Sequence, residues 1–524
     1  AQVTPIAGSG AAPAYNPVAP GFLAGVGPDY DAAYDLLNEN ETGNTVYEQY
    51  LIQGSLAGPL FTLPAGEVQV GLGFEYRNFS IEDVPGALTR GEIIDVTDAN
   101  TGTVYQARVA DIWGSSTSGI TAGEDNVAEL FGEIEIPILR GVPLVEDMTL
   151  NASARIFEYD SFGQNDVYKL GLNWQVTPSV RLRGTLGTSY RAPALFELFL
   201  DSQTAFVGQT AIDPCINLQD SSNQTLIDNC TSLGIPLNYT GLGASATVIS
   251  GGGAGNLGAE TSDASTIGLI YTPTFAPFSV AVDYYEIEIA DQIAQLGAGT
   301  ILAGCYTGEN FPNEFCNLFV RAPGTSQGNA FNILSVENSY LNVNNQSFRG
   351  IDVTARFEQD FNFGTLLTEA DASWALEREV QLFAPGTITG FDNIDDNGTI
   401  GSPSVTANFR TVLQRDDFRY TWFMDFVGAS SNQRFSSRPG GYAVPYFGTV
   451  ADRIYDAEAT TYHGLSVEYR SDKWRVIGGV RNIFAEEPPT VSTGAATRRG
   501  NTALIATQYD LRGRTGFITI ARTF

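Results

Sequence analysis

No stretch of this 524-residue chain is apolar over the ~18 residues that a membrane-crossing helix needs, so a helical membrane protein is excluded. Basic side chains are scarce: 28 Lys and Arg stand against 59 Asp and Glu, for a formal charge of -31. Neutralising phosphates takes Lys and Arg, so the balance argues against nucleic acid as a partner. There is one His, and none of the four Cys has the tight C-x-x-C spacing of a zinc site. Segments with helical period are almost absent, although a soluble chain this long would normally divide into domains containing them. No Ser/His/Asp arrangement, Cys/His pair or phosphate-cradling glycine loop stands in a suitable context, and the paired acids Glu486-Glu487 lie in a turn. Nothing speaks for an enzyme.

What the chain has in quantity is alternation. From Asp166 to Pro193 two arms flank a Thr-Pro-Ser turn. Tyr168, Leu170, Leu172, Trp174 and Val176 fall on one face of the first arm, opposite Lys169, Gly171, Asn173 and Gln175. The second arm sets Val180, Leu182, Leu186 and Tyr190 against Arg181, Arg183, Thr185 and Ser189. A period of two over about ten residues, apolar on one side and polar on the other, marks a strand with lipid outside and water inside. A soluble sheet with one wet face is the bland alternative.

The same pattern predicts strands near 44–60, 66–80, 124–138, 149–160, 166–176, 180–191, 261–271, 278–294, 333–360, 364–378, 404–415, 417–428, 460–470, 474–484 and 515–524. That is an all-β antiparallel transmembrane barrel of about 15 strands, with 333–360 read as one long bent strand. Short turns alternate with long loops at 81–123, 192–260, 295–332, 379–403, 429–459 and 485–514. Bacterial outer-membrane barrels put their turns in the periplasm and their loops outside. The last strand ends on Phe524, a terminal aromatic like that of such barrels, which places the C-terminus in the periplasm. Residues 1–43, rich in Gly, Pro and Ala, then read as an extracellular loop segment. Ala1-Gln2-Val3 fits either the residues after a cleavage site or the middle of a longer protein. Such barrels close with even strand numbers, so 15 strands imply that about seven more come from elsewhere. One missed strand would instead permit a sixteen-stranded porin.

Four stretches carry a family resemblance: Ser189-Tyr190-Arg191-Ala192-Pro193 with Leu195-Phe196-Glu197-Leu198-Phe199; Gly255-Asn256-Leu257-Gly258-Ala259-Glu260-Thr261; Val282-Asp283-Tyr284-Tyr285-Glu286-Ile287; and Gly479-Val480-Arg481-Asn482-Ile483-Phe484 before Glu486-Glu487-Pro488-Pro489. In order and spacing the chain resembles the C-terminal two thirds of a TonB-dependent outer-membrane receptor. The resemblance implies a 22-stranded barrel, a plug domain in its lumen, a TonB partner and uptake of a scarce small solute. No plug or TonB-engaging segment is recognisable. A passive porin and a structural or adhesive surface protein are the alternatives.

Several residues are candidates for recognition or stapling. Loop aromatics Tyr239, Tyr306, Phe311, Phe391 and Tyr442 are expected around the outer mouth. Cys215 with Cys230, and Cys305 with Cys316, are close enough in sequence to form local disulfides in an oxidising compartment. Glu129, Glu133 and Glu135 share a lumen-side face with Glu75 on another strand, as solvated wall charge. Asp392, Asn393, Asp395 and Asn397 space their oxygens as in a calcium loop, but Ser404 stands where such a loop needs Glu, so no cofactor is expected. His463 reads as an interfacial strand residue.

Overall fold

A computed structural model of the chain describes residues 42–90, 93–97, 104–108, 116–241, 245–326, 328–382, 394–433, 443–446, 449–452, 454–492 and 509–523. Its main sheet is an antiparallel meander of fifteen strands in sequence order, joined at one side by the two-residue strand Ile394–Asp395. They are β1 (Asn44–Leu63), β2 (Gly66–Val84), β3 (Thr121–Val142), β4 (Val145–Tyr159), β5 (Gly163–Thr177), β6 (Val180–Arg191), β7 (Glu260–Tyr271) and β8 (Phe278–Ala294). Then follow β9 (Leu341–Phe361), β10 (Gly364–Gln381), β11 (Val405–Arg415), β12 (Phe418–Val427), β13 (Thr460–Arg470), β14 (Trp474–Arg481) and β15 (Thr515–Arg522).

Register sorts the side chains into two faces. Leu56 lies opposite Leu72, Phe74 opposite Leu130, and Leu170 opposite Leu186, and all six are exposed on the same face. Ile267, Leu465 and Ile518 continue that exposed apolar face around the sheet. Water would not tolerate so continuous an apolar surface; hydrocarbon does. The opposite face carries Glu75 against Glu129, Asn151 against Gly171 and Arg183 against Gly268, the polar side of the wall.

All fifteen expected strands form, with three differences. The expected strand 333–360 is two: Ile333–Glu337 leaves the wall for a loop sheet, and β9 begins at Leu341. Asn338 makes the break, donating its backbone N–H to Ile249 O at 2.8 Å and accepting the Gly297 N–H on its side chain at 2.8 Å. β14 stops at Arg481, since Asn482 takes a left-handed conformation (φ 49) and its side chain closes on Glu486. Tyr190 leaves the outward face on which alternation placed it.

That departure has a cause in pairing. β5 and β6 pair from Thr177↔Val180 at the turn to Lys169↔Gly187, and beyond Gly187 the Tyr168 N–H goes to the Thr188 hydroxyl at 3.0 Å. From there to Arg191 the strand is paired on one side only, with β7. Tyr190 donates its hydroxyl to Glu129 at 3.1 Å and stacks on Phe157 with ring centres 3.6 Å apart. Its ring thereby joins Val127, Phe157 and Tyr159 in a small core on the inner side of the wall.

Candidate functional site: the loop end of the wall

Where β6 leaves the wall, the chain is latched. The Arg191 guanidinium donates to both oxygens of Glu197 at 2.9 and 3.0 Å and to Glu260 at 2.6 Å. Glu197 also accepts the Ala194 N–H at 2.8 Å, starting helix α1 (Leu195–Phe199), and Glu260 accepts the Ile293 N–H at 2.8 Å. One side chain therefore joins the end of β6, the first helix of the following loop, and the start of β7. Leu198, Leu257 and Ile293 bury together beside it. Two of the sequence stretches that carry the family resemblance meet at this latch.

Above it, the loops 192–259 and 295–340 form one folded cap. Strands Phe319–Arg321, Ile333–Glu337, Ser245–Ser250 and Gln203–Gly208 make a sheet in that order, so its central pairing joins one loop to the other. That pairing is parallel, Thr247↔Ser335 to Ile249↔Glu337. Helix α2 (Gln224–Ser232) begins where Asn223 accepts the Leu226 N–H at 3.1 Å, and helix α3 (Ala298–Thr307) packs Ile301 and Leu302 against Ala246, Ile333 and Val336. Both disulfides form as expected, Cys215–Cys230 and Cys305–Cys316.

At the cap's centre Arg321 donates to both oxygens of Asp213, at 2.7 and 2.8 Å, to the Tyr306 hydroxyl at 2.8 Å and to Phe331 O at 2.6 Å. Burial works against its charge, but Asp213 outweighs it and raises the Arg321 pKa. Burial also raises Tyr306, and pushes Tyr239 up to about 12.

The expected recognition aromatics are thus part of the cap's interior. Tyr306 is 1% exposed and Tyr239 9%, while Phe311 stacks on Tyr306 at 5.8 Å. They shape the cap and offer a solute little surface. Phe391 and Tyr442 lie outside the described residues, as do Asp392 and Asn393 of the calcium-like stretch. Asp395 accepts the Asn397 N–H at 2.8 Å, and Asn397 donates to Ala375 O at 2.9 Å. Among the described residues no group of three or more His, Cys, Asp or Glu is placed to hold a metal. His463 stacks on Trp422, ring centres 5.8 Å apart, and meets Phe484 edge to face with ring centres 5.2 Å apart.

Below the cap, inward arginines are bound to neighbouring carboxylates. Arg155 holds Glu129 at 2.7 Å, Arg183 holds Asp283 at 2.6 Å, and Arg356 holds Glu369 at 2.7 Å; Arg77 pairs with Glu75 and Arg349 with Glu377. Glu135 accepts from Asn151 at 3.0 Å. Towards the short-turn end Gln69, Glu133, Glu135, Asn151, Lys169 and Asn173 line an open recess of about 500 Å³. Such a face suits water and polar solutes.

The chain thus presents a polar-lined wall with an apolar exterior and a folded cap over its long-loop end. The family model described as TonB dependent receptor-like, beta-barrel, matches residues 12–483. The chain belongs to this family. TonB-dependent receptors are transporters of the outer membrane, not enzymes. Among solved structures, the ferric enterobactin receptor of Pseudomonas aeruginosa (G324V mutant) aligns over 91% of this chain and 54% of its own, at 18% identity and TM-score 0.55. The siderophore receptor PirA of Acinetobacter baumannii aligns over 92% and 55%, at 13% identity and TM-score 0.54. The outer membrane transporter YddB of Escherichia coli gives 92% and 55%, at 10% identity and TM-score 0.56. At these identities the likeness is one of fold. The chain spans about half the length of the structures it matches. No curated protein sequence matches it.

The latch and the buried pair were both missed as functional candidates. Arg191, Glu197 and Glu260 stood inside recognised stretches, where their charges were the available signal. Asp213 and Arg321 are 108 residues apart, and nothing in their local sequence couples them.

Proposed function

We propose that this receptor barrel takes up a scarce solute across the outer membrane by TonB-dependent active transport. The capped loops face the exterior and receive the solute, and the C-terminus lies in the periplasm. A plug, a TonB-engaging segment and further wall strands are the partners this reading requires. The observation that carries the reading is the family match over residues 12–483, joined to a wall whose long loops build a stapled, folded cap at one end. A barrel serving only as a passive pore has less use for so much ordered structure over its mouth.

The solute class is open among siderophore, cobalamin, oligosaccharide and peptide. Siderophores come first for testing, because the ferric enterobactin receptor and PirA share the fold. The test is growth of strains lacking this protein, or lacking TonB, with iron, cobalamin, an oligosaccharide or a peptide as the limiting nutrient. Both deletions are expected to cause the same defect under one of these conditions. A defect that appears without this protein and not without TonB would overturn the reading in favour of a passive porin.

A further inference from the structure

We infer that loops 192–259 and 295–340 are one cooperative body, so that whatever loosens or orders either loop does the same to the other. This does not depend on which solute is carried. The inference stands on five contacts, each made by one loop to the other. The parallel ladder Thr247–Ile249 with Ser335–Glu337 makes the middle of the cap sheet from both. Gln209 exchanges two hydrogen bonds with the Ile333 backbone, donating to its O at 2.7 Å and accepting its N–H at 2.9 Å, in a buried position. The Tyr239 hydroxyl donates to Asn332 at 2.8 Å, and Asn229 donates to Tyr306 O at 2.9 Å.

The fifth is the Arg321–Asp213 pair, with the Asp213 side chain fully buried and that of Arg321 8% exposed. A buried ion pair left with one member is an uncompensated charge, so neither loop can withdraw its partner without exposing the other to that cost. The apolar interior is shared in the same way. Cys215, Leu226 and Tyr239 of the first loop bury against Cys305 and Tyr306 of the second, and Ile212 and Ala246 against Ile301, Leu302 and Val336. Each disulfide closes within its own loop, of 15 and 11 residues' separation, and so does not by itself join the two. Coupling runs through side chains and the ladder.

Arg321 is the positioning residue, since it touches Asp213 of one loop while holding Tyr306 and Phe331 of its own. The experiment is hydrogen–deuterium exchange on the full-length receptor in detergent, comparing wild type, Arg321→Met and Tyr239→Phe. In Arg321→Met, amides of 203–208, 245–250, 298–307 and 333–337 are expected to exchange together, roughly a hundredfold faster, with β1 to β8 unchanged. Tyr239→Phe keeps the ring and removes one cross-loop bond, so it serves if Arg321→Met does not assemble. It should give a smaller acceleration, again in both loops. Faster exchange confined to one loop in either variant would overturn the inference.

Discussion

Arg191 and Glu260 lie 2.6 Å apart across the gap between β6 and β7, at opposite ends of a loop of nearly seventy residues. They close that loop at its base. Because Arg191 also grips Glu197, the same guanidinium fixes the direction in which the loop departs.

Arg191→Ala should therefore leave the barrel intact and free the loop. The guanidinium is 45% exposed, so solvent screens it and the expected cost is about 1 kcal/mol. Limited proteolysis should show faster cutting within 192–259, while heat-modifiable gel migration, the mark of a folded barrel, stays unchanged. Equal cutting in wild type and variant would remove Arg191 from this role.

The two faces of the wall predict opposite tolerances. Ile267 points outward and is 65% exposed, and Ile267→Arg should destabilise the barrel by about 2–4 kcal/mol if it lies near the bilayer midplane. Thr185 points inward, where it shares a hydrogen bond with Thr266 at 2.7 Å, and Thr185→Arg should fold normally. Urea titrations in lipid vesicles distinguish them. Comparable losses from both would contradict the assignment of faces.

Gly187 marks the end of the β5–β6 ladder, and a Cβ there would sit 2.6 Å from Tyr168 O. Gly187→Val should cost about 1–3 kcal/mol through overpacking. Gly478, with nothing within 4 Å of an added Cβ, is the control, and Gly478→Ala should be near neutral. Folding yield into detergent micelles measures both.

Cap stability should fall at high pH. Tyr239 is pushed up to about 12 when folded, whereas an unfolded tyrosine titrates near ~10. Between those values the unfolded cap releases its proton first, so rising pH favours unfolding, and the tyrosine's contribution is fully present only below ~10. Near-ultraviolet circular dichroism should show the cap loosening across this window, with a flatter decline in Tyr239→Phe.

How far the sequence reveals this molecule depends on how local the information is. Strand alternation is set by neighbours two residues apart, so the wall from β1 to β15 and the outward set of Leu170, Leu172 and Leu186 were legible. Alternation assumes that a partner strand is present. Tyr190 broke the rule where β6 has lost β5 and keeps only β7 as a partner, and Ile333–Glu337 broke it by pairing with Ser245–Ser250 of a distant loop. The disulfides were readable because each spans a short separation. Tyr239 and Tyr306 were marked as recognition residues because an aromatic in a long loop looks available, but the cap has an interior that those loops build together. No local pattern announces a core assembled from residues a hundred positions apart.

The most direct test of the account is uptake of the growth-limiting solute, radiolabelled, into cells before and after a protonophore collapses the energy of the inner membrane. The account predicts saturable uptake that falls to the level of a TonB-deficient strain. Uptake that continues undiminished, rising linearly with solute concentration, would contradict it and make this barrel a passive pore.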